Sequence, residues 1–253
     1  MDNTYKKLKF PVPFLVTKAL MKTMEDIQSI KHIPTKLKEY RKQLLQVYPP
    51  RMHRWFEDKF HVPTRWFEAR LQFSRSCAVW SMLGHIVGLG DRHAENILLD
   101  TRTGECVHVD FDCIFDKGLL SLARPEVVPF RLTPQFVDGM GITGYDGVYR
   151  GSCETTMRVL RENRGMVLSV LEGFLHDPVV DWGNHRGNQY ALEVVERTKK
   201  RIEGVYNYRK TRGAQRATDA IPLSIEGQVQ KLIVEATKGE NLVEMYGGWM
   251  PFA

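Results

Sequence analysis

A chain of 253 residues, 43% hydrophobic and 26% charged, can bury a substantial core and has an ordinary globular composition. No apolar run approaches the roughly 18–20 residues of a membrane-crossing helix, and the start MDNTYKKLKF lacks the apolar stretch of a secretory signal. The net charge of +6 is uneven: residues 1–60 hold 13 Lys and Arg against 6 Asp and Glu, and residues 197–216 hold 8 against 1. Such clusters suit nucleic acid or an acidic partner surface, although a solvated helix face is the plainer expectation. Aromatic residues do not interleave with them as base-stacking platforms would require. Cys77, Cys106, Cys113 and Cys153 form no CxxC pair and show no metal-ligand rhythm, which fits reduced thiols in a cytosolic or nuclear setting.

The first glycine is Gly84, so the amino-terminal third is expected to be helical and free of tight glycine turns. Pro34 and Thr35 open a helix over KLKEYRKQLLQVY that Pro49 and Pro50 end. A second helix is predicted over residues 65–88. Phe67, Leu71, Ala78, Met82 and Ile86 recur on one face, and Val79, Leu83 and Val87 widen it, the pattern of a buried helix. Then the period changes: ENILLD and ECVHVDF, separated by TRTG, read as a hairpin of Ile97–Leu99 against Cys106–Val109. Residues 111–135 read as irregular and proline-broken. Helical pattern resumes from about 148 to 212, interrupted near 176–188. In the last segment Ser224 is a natural N-cap, and Val229, Leu232, Ile233 and Ala236 form an apolar stripe. The expected fold class is mainly α with a small β-hairpin (α+β).

Residues 88–115, GLGDRHAENILLDTRTGECVHVDFDCIF, carry the chemistry. Phosphoryl transfer from ATP asks a protein to orient the attacking hydroxyl and to offer hard oxygens to a magnesium ion. Asp91 and Asn96 are five residues apart, the separation of the Asp and Asn in the H-R-D-L-x-x-x-N catalytic loop of protein kinases. Asp110 follows the second predicted strand and precedes Phe111, as the metal-binding Asp of D-F-G does. The hairpin explains their convergence, because Asn96 enters its first strand and Asp110 leaves its second. Each piece alone has a bland reading as a cap or ion pair; the ordered combination favours a catalytic loop.

GLGDRHAENILL followed by HVDF resembles the phosphatidylinositol 3-kinase-related protein kinases, which carry D-R-H where ordinary kinases have H-R-D. The resemblance continues through VPFRLTPQFVDGMG (128–141) to the end, where the tail is similar to that family's FATC segment, including GWMPF. ECVHVDFDCIF, EVVPFRLT, FLHDPVVDW and PLSIEGQVQKLIVEAT are most similar to the family's ATR branch, the DNA-damage checkpoint kinases. The resemblance covers residues 34–253 and leaves a basic segment, 1–33, unassigned. It implies a protein-kinase-like C-lobe over 34–212, a linker over 213–220 and a helical FATC-like tail over 221–253. The catalytic loop would be 88–99, the metal motif 107–112, and the activation segment would run from Asp110 to Arg131.

The same resemblance implies roles for single residues. Asp91 would position or deprotonate the substrate hydroxyl, and His93 would stand beside the transferring phosphate. Asn96 and Asp110 would bind Mg²⁺, with Mn²⁺ as an alternative, and Leu98 and Val109 would form the apolar floor under the adenine of ATP. Asp112 stands where most kinases have glycine, and that branch commonly has a polar residue there. The implied activity is phosphorylation of protein Ser/Thr, preferring sites followed by Gln, in the nucleus. An adaptor protein would bind through regions outside this chain, and DNA would be engaged only indirectly.

The tail could pack as a cap near the activation segment or lie on a membrane; Glu226, Glu235, Glu240 and Glu244 disfavour an anionic membrane. A phosphoinositide lipid kinase is disfavoured because residues 111–130 offer only Lys117 and Arg124. No strand-rich stretch with a phosphate-binding lysine precedes Asp91. The chain therefore reads as a C-lobe and tail expected to have little activity alone, whether as a truncated gene model, a fragment or a degenerate paralogue. A pseudokinase or interaction fragment is the non-enzyme alternative.

Overall fold

The computed structural model describes residues 18–122, 124–175, 187–205 and 221–252. Most of FLHDPVVDW, the linker 213–220 and the first 17 residues lie outside them. Four helices come first: α1 (Lys18–Ser29), α2 (Ile33–Tyr40), which runs on into a π-turn (Arg41–Leu45), α3 (Met52–Lys59) and α4 (Pro63–Val87). A hairpin of β1 (Ile97–Leu99) and β2 (Cys106–His108) follows, then α5 (Gly118–Ser121), α6 (Pro134–Met140), α7 (Val148–Glu162), α8 (Arg164–Leu175) and α9 (Gly187–Glu203). The tail holds α10 (Ile225–Thr237) and α11 (Gly239–Leu242). The mainly helical class with one small hairpin is as expected.

Helix α4 is the axis of the larger core. It packs against α3, α6, α7, α9 and β2, and Phe73, Ala78, Met82 and Ile86 on it are fully buried. Its predicted face is rotated from the apolar count: Phe67 and Val79 are exposed, and Phe73 and Cys77 take the core positions instead. Pro63 sits in the first turn, where a missing N–H costs nothing. Gly88 ends the helix in the left-handed region (φ 65°), and its N–H bonds back to the carbonyls of Gly84 and His85. A Cβ there would lie 2.3 Å from the Asp116 carboxylate, so only glycine fits on both counts.

The second core joins the two ends of the described chain. Leu20, Met24 and Ile27 of α1 and Tyr40 and Leu44 of α2 and the π-turn pack with Val128, Leu242, Val243, Met245, Trp249 and Phe252. The Gln28 side-chain amide donates to the carbonyls of Val243 and Met245, both at 2.8 Å. Part of the segment left unassigned from sequence is thus a seat for the tail. Ser224 caps α10 by accepting from the Gly227 N–H at 3.0 Å, and Val229, Leu232, Ile233 and Ala236 are fully buried, both as predicted.

The hairpin is antiparallel with Ile97 opposite His108, Leu98 opposite Val107 and Leu99 opposite Cys106. Its second strand stops at His108, one residue short of the expectation, because the Val109 and Asp110 carbonyls turn to a guanidinium rather than to the ladder. The Asp100 carboxylate accepts from the N–H of Arg102 at 2.7 Å and fixes the turn. Trp80 of α4 anchors the strands: its indole donates to the Cys106 carbonyl at 3.1 Å and its ring stacks on His108.

Burial pulls two histidines, His85 and His108, down to about 3, helped by the charges of Arg201 and Arg92 respectively. Unfolded histidine titrates near 6.5, so below that pH the unfolded state takes up protons that the folded state refuses. Stability is complete in this respect above pH 6.5 and is lost as pH falls toward 3, by at most about 1.4 kcal/mol per pH unit for each histidine. Glu126, whose carboxyl is raised by burial, works in the opposite sense as one group against two. Urea midpoints of the full chain are expected to fall from pH 7 to pH 5; a constant midpoint would contradict this.

Candidate functional site

The loop between α4 and β1 is held from behind by one buried side chain. Arg92 is 2% exposed, and its guanidinium donates to the carbonyls of Gly90 at 2.9 Å, Val109 at 2.8 Å and Asp110. Burial lowers its pKa while Glu126, Asp91 and Asp110 oppose the shift. One cation therefore ties the start of the loop to the residues that leave β2. The Asn96 carbonyl accepts from the Val109 N–H at 3.0 Å, and the Asn96 amide nitrogen donates to the Asp91 carbonyl at 2.8 Å.

These ties draw Asp91, His93, Asn96 and Asp110 to the same end of the hairpin. Asp91 and His93 approach at 3.9 Å between Oδ2 and Nε2, with 35% and 30% of their side chains exposed, so both can reach solvent. Asn96 is buried and is the last residue of a 3-10 turn, Ala94–Asn96. Asp91 and Asp110 both adopt left-handed backbone, φ 59° and 58°. Asp tolerates that region better than most residues, but two such residues in one loop system are uncommon and cluster at functional sites. The Asp110 side chain accepts from the N–H of Asp112, which is exposed.

Asn96 and Asp110 together offer the oxygen donors that magnesium prefers. With its amide nitrogen on the Asp91 carbonyl, Asn96 has its amide oxygen to give a cation. The pair fits a divalent ion that takes only one or two ligands from the protein. Beside them, Leu98 is 50% exposed opposite Val107, and Phe111 is exposed and stacks on Trp80. Val109 is half-buried. The hairpin thus presents an open apolar face next to the carboxylates.

The following segment is pinned at both ends. Near its start the N–H groups of Phe115 and Asp116 donate to the carbonyls of Val87 and Gly88, and Asp116 pairs with Arg201 at 2.8 Å and Arg197 at 3.2 Å on α9. Near its end, Glu126 accepts from the Arg92 N–H at 2.9 Å and from the Trp249 indole at 2.5 Å. Arg131 is buried under the Trp249 ring, 4.4 Å from its centre, and donates to the carbonyls of Trp249 and Met250. Burial pulls its pKa down to about 10. Trp249 and Phe252 are 3% and 0% exposed, so these two rings pack inward as a cap, while Tyr246 is exposed.

Sequence reasoning missed Arg92 and Glu126 as the struts of this arrangement. Arg92 lay inside the quoted motif, but nothing in its spacing marks a buried arginine that bonds carbonyls.

A catalytic lobe of the lipid- and protein-kinase superfamily is the class that these features define, and the comparisons agree. A family model described as phosphatidylinositol 3- and 4-kinase matches residues 1–184, and an FATC domain model matches residues 222–253. The chain belongs to that family, in the ATR-like branch of the phosphatidylinositol 3-kinase-related protein kinases. It is 48% identical over 215 residues to the serine/threonine-protein kinase ATR of Oryza sativa subsp. indica, covering 82% of this chain and 8% of that protein. It is 46% identical over 218 residues to the protein kinase rad3 of Schizosaccharomyces pombe, covering 84% and 9%. The chain therefore spans less than a tenth of the length of these relatives. The structure described as the FAT and kinase domain of CtTel1 superposes with a TM-score of 0.78 at 37% identity, over 93% of this chain and 16% of that one.

Truncating Trp249 to Ala is expected to cost about 3–5 kcal/mol from lost packing. Trp249→Phe, which keeps the ring but not the indole N–H, is expected to cost about 1–3 kcal/mol by depriving Glu126 of a donor. Denaturant unfolding of both variants measures this; equal stability of wild type and Trp249→Phe would remove the Glu126 bond from the account.

Proposed function

We propose that the chain forms the catalytic-loop wall of an ATR-like checkpoint kinase that transfers phosphate from ATP to Ser or Thr of proteins. The proposed divisions are a kinase C-lobe over 34–212, a linker over 213–220 and an FATC tail over 221–253, with an activation segment from Asp110 to Arg131. The observation that carries the reading is the clamp of Arg92, which gathers Asp91, His93, Asn96 and Asp110 at one end of the hairpin.

Asp91 takes the proton of the substrate hydroxyl as that oxygen attacks, a role within reach of its partly exposed carboxylate. His93, beside it, offsets negative charge on the transferring group or accepts the proton in turn. Asn96 and Asp110 are the residues that would hold Mg²⁺, or Mn²⁺ in its place, and the ion would neutralise phosphate charge. Leu98, Val109 and the neighbouring open face would lie under the adenine. Similarity to ATR-named relatives favours Ser/Thr-Gln sites, an adaptor protein engaged through other regions, indirect contact with DNA and a nuclear setting.

Among the described residues the hairpin is the whole of the sheet, and in this reading it would form one side of a nucleotide cleft. The opposing phosphate contacts of a kinase are each worth orders of magnitude in rate, so the 253-residue chain alone is expected to phosphorylate peptides at or near background. Robust transfer by the purified chain that disappears in Asp91→Asn would overturn that half. In a polypeptide that also carries the second lobe, Asp91→Asn is expected to lower kcat by about 10²–10⁴-fold on a Ser-Gln peptide. Unchanged kcat would sink the base assignment. A folded chain that still binds no Mg–ATP in that longer context would instead favour an interaction module.

A further inference from the structure

The basic excess of the amino-terminal region is not used by the site, and part of it surrounds a groove. Ile33, Pro34 and Leu37 of α2 form the floor, and Lys38, Arg41, Lys42 and Gln46 stand around it, with Glu240 of α11 at the far side. The groove holds about 680 Å³, enough for two or three large side chains. Ile33 is 53% exposed, an apolar residue left to water at the head of a helix. Lys38, Arg41 and Lys42 are exposed and make no ion pair among the described residues, whereas the Glu240 carboxylate is taken by Lys238 at 2.6 Å.

The backbone sets these charges out. Tyr40 and Leu44 are buried in the tail core, so the exposed residues between them, Arg41 and Lys42 included, face away from it. At Arg41–Leu45 the helix widens into a π-turn, closed by the Gln46 N–H on the Arg41 carbonyl at 2.9 Å. Such turns are rare and are frequent at functional sites. An apolar floor under three cations is complementary to a segment with apolar anchors and carboxylates around them. A nucleic acid would have no use for the aliphatic floor.

We propose that this groove between α2, the π-turn and α11 docks an acidic peptide segment of a partner protein through apolar anchors. The groove lies on elements that seat the tail: Leu37 faces Gly239, and Lys36 pairs with Glu244 at 2.5 Å. The proposal does not depend on catalysis, and its test measures none.

The probe is a fluorescein-labelled 16-residue peptide rich in Glu and Asp with leucines four residues apart, followed by anisotropy against the full chain. Saturable binding is expected, weakening at least tenfold between 0.05 and 0.3 M NaCl. The Lys38→Glu, Arg41→Glu, Lys42→Glu triple variant and Ile33→Ser are each expected to lose at least tenfold. Arg41→Gln with Lys42→Gln, a milder change, is expected to lose severalfold and stands in if the triple variant fails to fold by circular dichroism. Absence of saturable binding would overturn the proposal. So would equal binding of a peptide with serines for the leucines, or tighter binding of phosphatidylserine vesicles or an RNA oligomer.

Discussion

A guanidinium buried without a directly bonded carboxylate is the constraint on which the site rests. Taking a charge out of water costs several kcal/mol unless hydrogen bonds replace the lost hydration, and Arg92 recovers them from backbone carbonyls. Those carbonyls belong to Gly90 before the loop and to Val109 and Asp110 after the hairpin, so satisfying the cation and shaping the site are one event. The left-handed backbone at Asp91 and Asp110 follows from it. Neither residue would hold that conformation in an isolated loop, where extended and right-handed states cost less.

The tail completes the same construction from the other side. Glu126 touches the backbone of Arg92 and the indole of Trp249, and Arg131 lies under the Trp249 ring while bonding its carbonyl. The loop, the segment that follows β2 and the tail therefore share polar partners, and none of the three can be repacked alone. The histidines kept neutral by burial and the arginine pair on Asp116 extend this dense polar interior across to α9.

Much of this was legible before any coordinates. The hairpin needed only alternation and the TRTG turn, and Ser224 with its apolar stripe announced α10. The convergence of Asn96 and Asp110 followed from the antiparallel turn itself. Other features depend on partners far away in sequence. Phe67 has the right spacing for the α4 core, yet nothing covers it among the described residues, and Phe73 is used instead. Helix α1 carries no motif that the sequence reading could use; its place is fixed by the underside of the tail. Arg92 looks like any loop arginine until the carbonyls around it are seen.

Trp249 meets Glu126 at a sequence separation of 123, and Gln28 meets Met245 at 217. During synthesis α4 can pack on α3, α6 and β2 before either pair exists, while the larger core is closed only by Val229, Leu232, Ile233 and Ala236 of α10. A ribosome would thus carry a partly packed domain whose Glu126 and Arg131 still await partners, and whose α1 has no surface to rest on. A change that slows docking of the tail would lower the yield of folded protein even where the finished structure is as stable as before.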